Sequence, residues 1–402
     1  MQKQKIKCLY ITFNGLMEPL GQSQVLPYIK GLSKKGIKFY LISLEKKKDI
    51  KESIRIRGNL ESLRINWYKL RYFGHHPIKI LFSIFQCFLV AFYLVISKKI
   101  EMIHARAYYS VFVSLPFKKL FKIKLIFDMR GFGPEEFVDA GSIKKDSIYY
   151  KLLKFLERKS ILLADYLITL TPEAAEIIKN EYKKLAIDWM PTCVDEDRFK
   201  TEEPIFLLKN RFVMVYSGSL WSWYNINAMI DFFNVLKIQI PSAHFLILSK
   251  DKNEKLYPLF SDKGLQKGDY TVIEVEPDKV PRYLKGSNLG ISFTYNTYSK
   301  KASFPTKIAE YLISGLPIVI NTQFDFLKNL ITTNKIGIII ENFDKETFQK
   351  EINNLVSLLR DPNLKERCEQ TARKYLGKNV CLNKYLEIYR KLIASKTCPK
   401  QF

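Results

Sequence analysis

The chain has 402 residues, 47% of them hydrophobic, enough for two cores, since one core rarely grows beyond roughly 250–300 residues. Its 65 Lys and Arg outweigh 40 Asp and Glu to give a net charge of +25. An excess of that size attracts polyanions, phosphorylated ligands or an anionic membrane surface without choosing among them. With 17 glycines and 16 prolines, collagen-like and low-complexity classes are excluded. Six scattered cysteines, Cys8, Cys87, Cys193, Cys368, Cys381 and Cys398, contain no C-x-x-C and suit a reduced, cytoplasmic protein. The four histidines form no H-E-x-x-H or Cys/His cluster, so no metal site is expected.

From the amino end, strand-like runs rich in Ile, Leu, Val, Phe and Tyr are expected at Lys7–Phe13, Lys38–Leu44, Ile65–Leu70, Met102–Ala105, Lys124–Met129, Tyr166–Leu170 and Ile187–Met190. Helical stretches lie between most of them, at Gln22–Lys35, Tyr108–Leu120, Ser147–Ala164 and Pro172–Lys184. His75-His76 read as loop. Ile80–Ile96 is apolar apart from Ser83 and Gln86 and is flanked by Lys79, Lys98 and Lys99. It falls short of the ~20 apolar residues a spanning helix needs, so a buried or membrane-grazing helix is expected ahead of a true span.

The pattern lapses around Pro191–Asn210, where Met190-Pro191-Thr192 and Lys200–Pro204 read as linker, and then restarts. Phe212–Tyr216 is a strand followed by Ser217-Gly218-Ser219, and a helix is expected at about Asn225–Gln239. Further strands are Ala243–Ser249, Tyr270–Val275, Leu289–Phe293, Pro317–Asn321 and Gly337–Glu341. After Asp344 the chain reads as helical to Ala394, broken near Asp361-Pro362 and Gly377. Strands alternating with helices predict parallel sheets covered on both faces. The restart predicts two such domains. Open parallel sheets bind ligands beyond the carboxyl ends of their strands, so two of them facing each other across a cleft hold one reactant each.

The most informative stretch runs from Ser303 to Ile320. Pro305 suits a first helical position, Gly315 a helix end, and Pro317 blocks continuation. The helix start carries Lys307 and no acid, against the preference set by the helix dipole. A bound anion restores that balance, because free N–H groups plus a lysine make a phosphate site. Glu310, one turn on, is placed to accept hydrogen bonds from ribose hydroxyls, so the pair fits a nucleoside diphosphate. An ordinary amphipathic helix with solvent-facing Lys307 and Glu310 is the competing reading.

At these residues the chain resembles the glycosyltransferases of family 4, which have the GT-B fold and retain anomeric configuration. The resemblance extends over Glu18–Tyr28, Asp128-Met129-Arg130-Gly131 with Glu135-Glu136, Met190-Pro191 through Val194-Asp195 and Phe199, and Ser217–Leu220. It implies a GT-B α/β architecture of two Rossmann-like, doubly wound domains. Residues 1–195 would hold the acceptor, 205–375 the nucleotide sugar, and 376–402 would form a helix crossing back to the first domain.

Carried over, the nucleotide sugar would be bound by Pro305, Thr306, Lys307 and Glu310, with Thr306 and Lys307 on the diphosphate and Glu310 on the ribose, while Gly218 and Ser219 would flank the phosphates from the opposing loop. Gly21 would admit the reacting sugar to bare backbone, beside Gln22. Arg106, Asp128, Arg130 and Glu136 would form the acceptor-side, phosphate-facing group, and Arg130, Lys307 and Glu310 the catalytic set. Three positions depart from the family. Ala302 stands where a first glutamate is usual, Trp221-Ser222-Trp223-Tyr224 carries no cation, and Arg130 replaces a histidine. Asp195-Glu196-Asp197 is formally the D-x-D of another glycosyltransferase fold, but its place in a linker predicts no metal.

The expected protein is therefore a retaining, hexosyltransferase-type enzyme. Its donor is a nucleotide-diphosphate sugar, no other cofactor is required, and its acceptor is a saccharide or lipid-linked saccharide of surface polysaccharide synthesis. It is expected in the cytoplasm, peripheral on the inner face of the membrane through residues 78–99. A catalytically silent nucleotide-sugar-binding protein and a GT-B epimerase are the alternatives. Nucleic acid is not an expected partner, because no basic-aromatic module accompanies the charge.

Overall fold

The structure is a computed structural model that describes residues 6–46, 49–74, 76–184, 186–200, 203–221, 223–251, 256–322 and 324–397. His75, Ser222, Cys398 and linker residues Thr201 and Glu202 lie outside them. The first sheet holds β1 (Lys7–Thr12), β2 (Lys38–Glu45), β3 (Asn66–Arg71), β4 (Met102–Arg106), β5 (Lys124–Asp128), β6 (Tyr166–Thr169) and β7 (Ile187–Trp189). All pairings are parallel, in the order β3-β2-β1-β4-β5-β6-β7. The second sheet holds β8 (Phe212–Ser217), β9 (Ala243–Leu248), β10 (Tyr270–Ile273), β11 (Leu289–Ser292), β12 (Ile318–Ile320) and β13 (Gly337–Ile339). Its pairings are again parallel, in the order β10-β9-β8-β11-β12-β13. Each sheet is doubly wound. This is the GT-B architecture of two Rossmann-like domains, and both sheets match the expected alternation.

Central strands are buried along their whole length, as in β4 and β9, because helices cover both faces. Helices start where side-chain oxygens cap free N–H groups. Ser147 accepts from Tyr150 N, Thr171 from Ala174 N, Asn225 from Ala228 N and Asp344 from Thr347 N. The expected helix Gln22–Lys35 is instead two helices, Pro19–Gln24 and Leu26–Lys34. Val25 at φ −120°, ψ −58° separates them, ahead of Pro27, which cannot donate the next helical bond. Glu135 and Glu136 lie on a short helix, Gly133–Asp139, with Pro134 in its first turn.

Two compact units form. One comprises Met1–Pro191, Tyr298–Phe304 and Lys378–Phe402; the other comprises Thr192–Thr297 and Pro305–Gly377. The second unit begins before residue 205 because Val194 N donates to Leu376 O at 2.8 Å and Val194 pairs with Gly377 in an isolated bridge. Tyr298–Phe304 belongs to the first unit. The Tyr298 ring stacks on Phe132 at 5.6 Å, Ser299 N donates to an Asp139 carboxylate oxygen at 3.1 Å, and the Thr171 hydroxyl donates to Lys301 O at 2.5 Å. Ala302, 2% exposed, is part of that unit's core. The helix Lys378–Thr397 also belongs to the first unit: Leu382 packs on Gly31, and Tyr385 lies against Tyr28 with centroids 5.7 Å apart.

Candidate active site

Strand order locates the candidate sites. Sequence order reverses between β1 and β4 in one sheet and between β8 and β11 in the other, and ligands bind beyond the strand ends at such switch points. The loops after β1, β4, β8 and β11 carry most of the residues singled out above.

In the second unit, β8 ends at a turn held from two sides. Ser217 N donates to the Tyr311 hydroxyl at 2.8 Å, while Asp251 accepts from Ser219 Oγ at 3.2 Å and Leu220 N at 2.6 Å. Gly218 sits at φ +125°, a region that L side chains rarely adopt. A Cβ there would lie 3.2 Å from Lys307 Nζ. The helix Thr306–Ile313 has Pro305 at its N-cap and so starts one position later than expected, with no side-chain cap and no acid in its first turn. Thr306 and Pro305 are half-buried.

Lys307 is only 6% exposed, so the solvent-facing alternative is excluded. Its Nζ lies 3.8 Å from the Tyr216 ring centroid and 3.6 Å from that of Tyr224. Among the described residues it has no hydrogen-bond partner. Burial holds its pKa well below the ordinary lysine value, against the pull of Glu310. Burial raises the Glu310 carboxyl, while Arg198 and Lys307 oppose that rise. This corner of the unit thus offers an uncapped helix start, a glycine turn open to close approach, and a buried ammonium lacking an acceptor. An anion at that place satisfies all three.

In the first unit, Asp128 at the end of β5 is fully buried. Its Oδ2 lies 3.3 Å from Arg106 Nη1, 3.4 Å from His104 Nε2 and 3.3 Å from the Tyr385 hydroxyl, and its Oδ1 lies 3.4 Å from Arg130 Nη1. Burial alone would raise this carboxyl; Arg130, His104 and Arg106 outweigh it and hold the pKa well below the carboxylate range. Burial lowers the His104 pKa despite Asp128. The neutral ring then donates from Nε2 to Asp128 and accepts at Nδ1 from the Tyr389 hydroxyl, 2.6 Å away. Arg106 and Arg130 are therefore tied to Asp128. They leave one cation in excess, and among the described residues Arg106 Nε has no partner.

The loop after β1 is organised by Glu45, the last residue of β2. Its carboxylate accepts from Leu16 N at 2.7 Å, Met17 N at 3.1 Å and Ser43 Oγ at 2.6 Å. A Cβ at Gly21 would lie 1.9 Å from Gly15 O, so close backbone packing within this loop is by itself reason for glycine. Gln22 Nε2 donates to Glu52 at 2.8 Å. Glu136 is half-buried, and burial raises its pKa while Lys300 opposes. Of the linker run Asp195-Glu196-Asp197, Asp195 and Glu196 precede a short helix, Asp197–Lys200, that Asp197 opens, and Glu196 is buried.

Sequence reasoning missed Arg198, Tyr216, Tyr224, His104, Tyr385, Tyr389 and Glu45. Only Glu45 left a local signal, an acid closing a mostly apolar, buried strand.

Residues 197–375 match the family described as Glycosyl transferases group 1. No curated protein matches the sequence. Among solved structures, sucrose-phosphate synthase from Thermosynechococcus elongatus superposes with a TM-score of 0.73 at 13% identity, covering 97% of this chain and 100% of that one. A glycosyltransferase from Rickettsia africae gives 0.71 at 15% identity, covering 97% and 99%. Anabaena HepE in complex with UDP gives 0.68 at 14% identity, covering 97% and 100%. Residues 197–375 thus carry a group 1 glycosyl transferase domain, and the likeness to the solved structures is one of fold over almost the whole chain.

Proposed function

We propose that the enzyme moves a sugar from a nucleotide-diphosphate sugar, with retention of configuration as in family 4, to a saccharide or lipid-linked saccharide acceptor of surface polysaccharide synthesis, with no further cofactor. The observation that carries the donor reading is Lys307: a buried cation without an acceptor among the described residues, at an uncapped helix start beside the Gly218 turn. In this reading Lys307, Thr306 and the amides after Pro305 take the diphosphate, Gly218 and Ser219 flank it, and Glu310 takes the ribose. The first unit receives the acceptor at Gly21, Gln22, Arg106, Asp128, Arg130 and Glu136. As the sugar–phosphate bond breaks, charge develops on the leaving phosphate, which itself accepts the acceptor's proton. Fixed cations aimed at that charge lower the barrier.

A thermal-shift screen of nucleotide sugars tests this. The correct donor, at about 100 times its Kd, stabilises the fold by roughly 2.7 kcal/mol. HepE was crystallised with UDP, so UDP-sugars come first. Glu310→Ala is expected to abolish the shift. A wild type that responds to no nucleotide sugar, or a variant that responds equally, would sink the assignment.

The same reading places the enzyme in the cytoplasm, on the inner face of the membrane. The helix Pro77–Lys98 is long and apolar enough to cross a membrane, but Cys87, Ala91, Leu94 and Val95 are built into the first core, which a spanning helix could not provide. Its other face exposes Leu81, Phe82, Phe85, Leu89 and Ile96, beside exposed Leu120 and Phe121. Lys79, Lys99, Lys119 and Lys122, close to these residues in sequence, are exposed as well. Apolar contact rimmed by lysine suits an anionic bilayer surface. The protein is expected to co-sediment with vesicles containing anionic lipid and to be released by Phe85→Glu. Equal retention on neutral vesicles, or none on anionic ones at low salt, would count against it.

A further inference from the structure

We propose that Tyr216 and Tyr224 are positioning residues. Their ring faces hold the Lys307 ammonium beneath the Gly218 turn while the site is empty, and the donor's diphosphate takes the ammonium over from them. The proposal rests on the donor reading above and goes beyond it in assigning work to two tyrosines.

An ammonium carries three donors, and burying it without acceptors is costly. Lys307 is buried with none among the described residues, yet Nζ is within 4 Å of two ring centroids. Contact with an aromatic face partly replaces lost hydration. Both rings are fixed independently of the lysine. The Tyr216 hydroxyl donates to Ser219 O, which ties that ring to the turn that would flank the phosphates. Tyr224 pairs with Thr294 in an antiparallel bridge, and the two rings meet edge to face at 5.6 Å and 73°.

The charged or titratable groups around the lysine are few. Glu310 lies on the same helix, Arg198 acts on Glu310, and Tyr311 is buried beneath the turn. None offers Nζ a hydrogen bond. The box therefore sets direction without competing strongly: it aims the cation at the place left open by Gly218, and an oxyanion there outbids a ring face. A carboxylate in place of either tyrosine would aim the cation as well, but would hold it against the ligand.

The test is a mutant cycle read by UDP affinity, with ADP and GDP as alternative bases. Tyr224→Leu is expected to weaken nucleoside diphosphate binding roughly tenfold, and Tyr224→Phe, which keeps the ring, to restore it. In a Lys307→Met background, Tyr224→Leu should cause no further loss. An equal fractional loss in both backgrounds would mean that Tyr224 acts on the nucleotide directly and would overturn the proposal. If the wild type binds none of the three nucleotides, the donor reading itself falls.

A second measurement needs no tyrosine variant. In lysine-labelled protein, the Lys307 Hε resonance, assigned by its absence in Lys307→Met, should be shifted upfield by the rings and should return towards the ordinary lysine position on adding UDP. A resonance at the ordinary position without UDP, or one that UDP leaves in place while binding, would equally overturn it.

Discussion

Replacing Lys307 by methionine is expected to lower turnover about 10²–10³-fold, the usual cost of losing one preorganised charge at a developing oxyanion, while the unliganded protein becomes no less stable. The two halves of this expectation have one cause. Methionine keeps much of the lysine stem and fills the space between Tyr216 and Tyr224. It also removes a buried ammonium that has no acceptor among the described residues. Exchanging an uncompensated buried charge for an apolar side chain of similar volume is often neutral or stabilising. Glu310 would lose one of the two cations that oppose its desolvation, which works in the other direction but acts only through space. Nucleoside diphosphate release with the identified donor measures the first half; the melting temperature without ligand measures the second. Wild-type turnover in the variant would refute the assigned role. A large drop in melting temperature would show that the lysine is a structural element.

Asp128→Asn is expected to destabilise the first unit by roughly 3–5 kcal/mol, the cost of breaking a buried ion pair from one side. Asp128 is fully buried and faces Arg106, Arg130, His104 and Tyr385. Asparagine keeps the shape but leaves two guanidinium groups without a counter-charge, one of them 4% exposed. The pH dependence follows from the sign of the shift. The folded-state pKa is depressed, because Arg130, His104 and Arg106 overcome the effect of burial. The ionised carboxylate thus contributes stability that is complete above the unfolded-state value near about 3.9 and is lost as pH falls below it. Wild-type stability should decline on acidification through that window, and the variant should lack this component. Calorimetric melting of both proteins between neutral pH and acid gives the comparison. Parallel pH profiles would exclude the cluster as the source.

The architecture was open to sequence reasoning because parallel sheets require it to be. Strands covered on both faces must be short, mostly apolar runs, as β9 and β11 are. Boundaries were less legible where a single residue decides them: Val25 splits one expected helix, and the short helix with Pro134 in its first turn was not among the expected ones. At the donor-side corner, the broken dipole rule at Lys307 was visible, but its burial was not. A lysine two residues into a helix reads as solvent-facing until Tyr216 and Tyr224 are placed over it, and these lie about eighty to ninety positions upstream.

Asp128 shows the same limit more sharply. His104 is 24 residues away from it and Tyr385 is 257. No local pattern announces a carboxylate assembled from two strands and a helix so distant. Ala302 could be recognised as a departure from the family, yet only the structure shows its methyl group serving the first core.

The helix Lys378–Thr397 has a consequence for biogenesis. It supplies Tyr385 and Tyr389 to the interior of a unit whose sheet is encoded almost 200 residues earlier. A ribosome therefore delivers the whole second sheet before it delivers the pieces that finish the first. During synthesis the amino-terminal half must wait with Asp128 and its arginines incompletely enclosed, and the later-made half is the one able to close without delay.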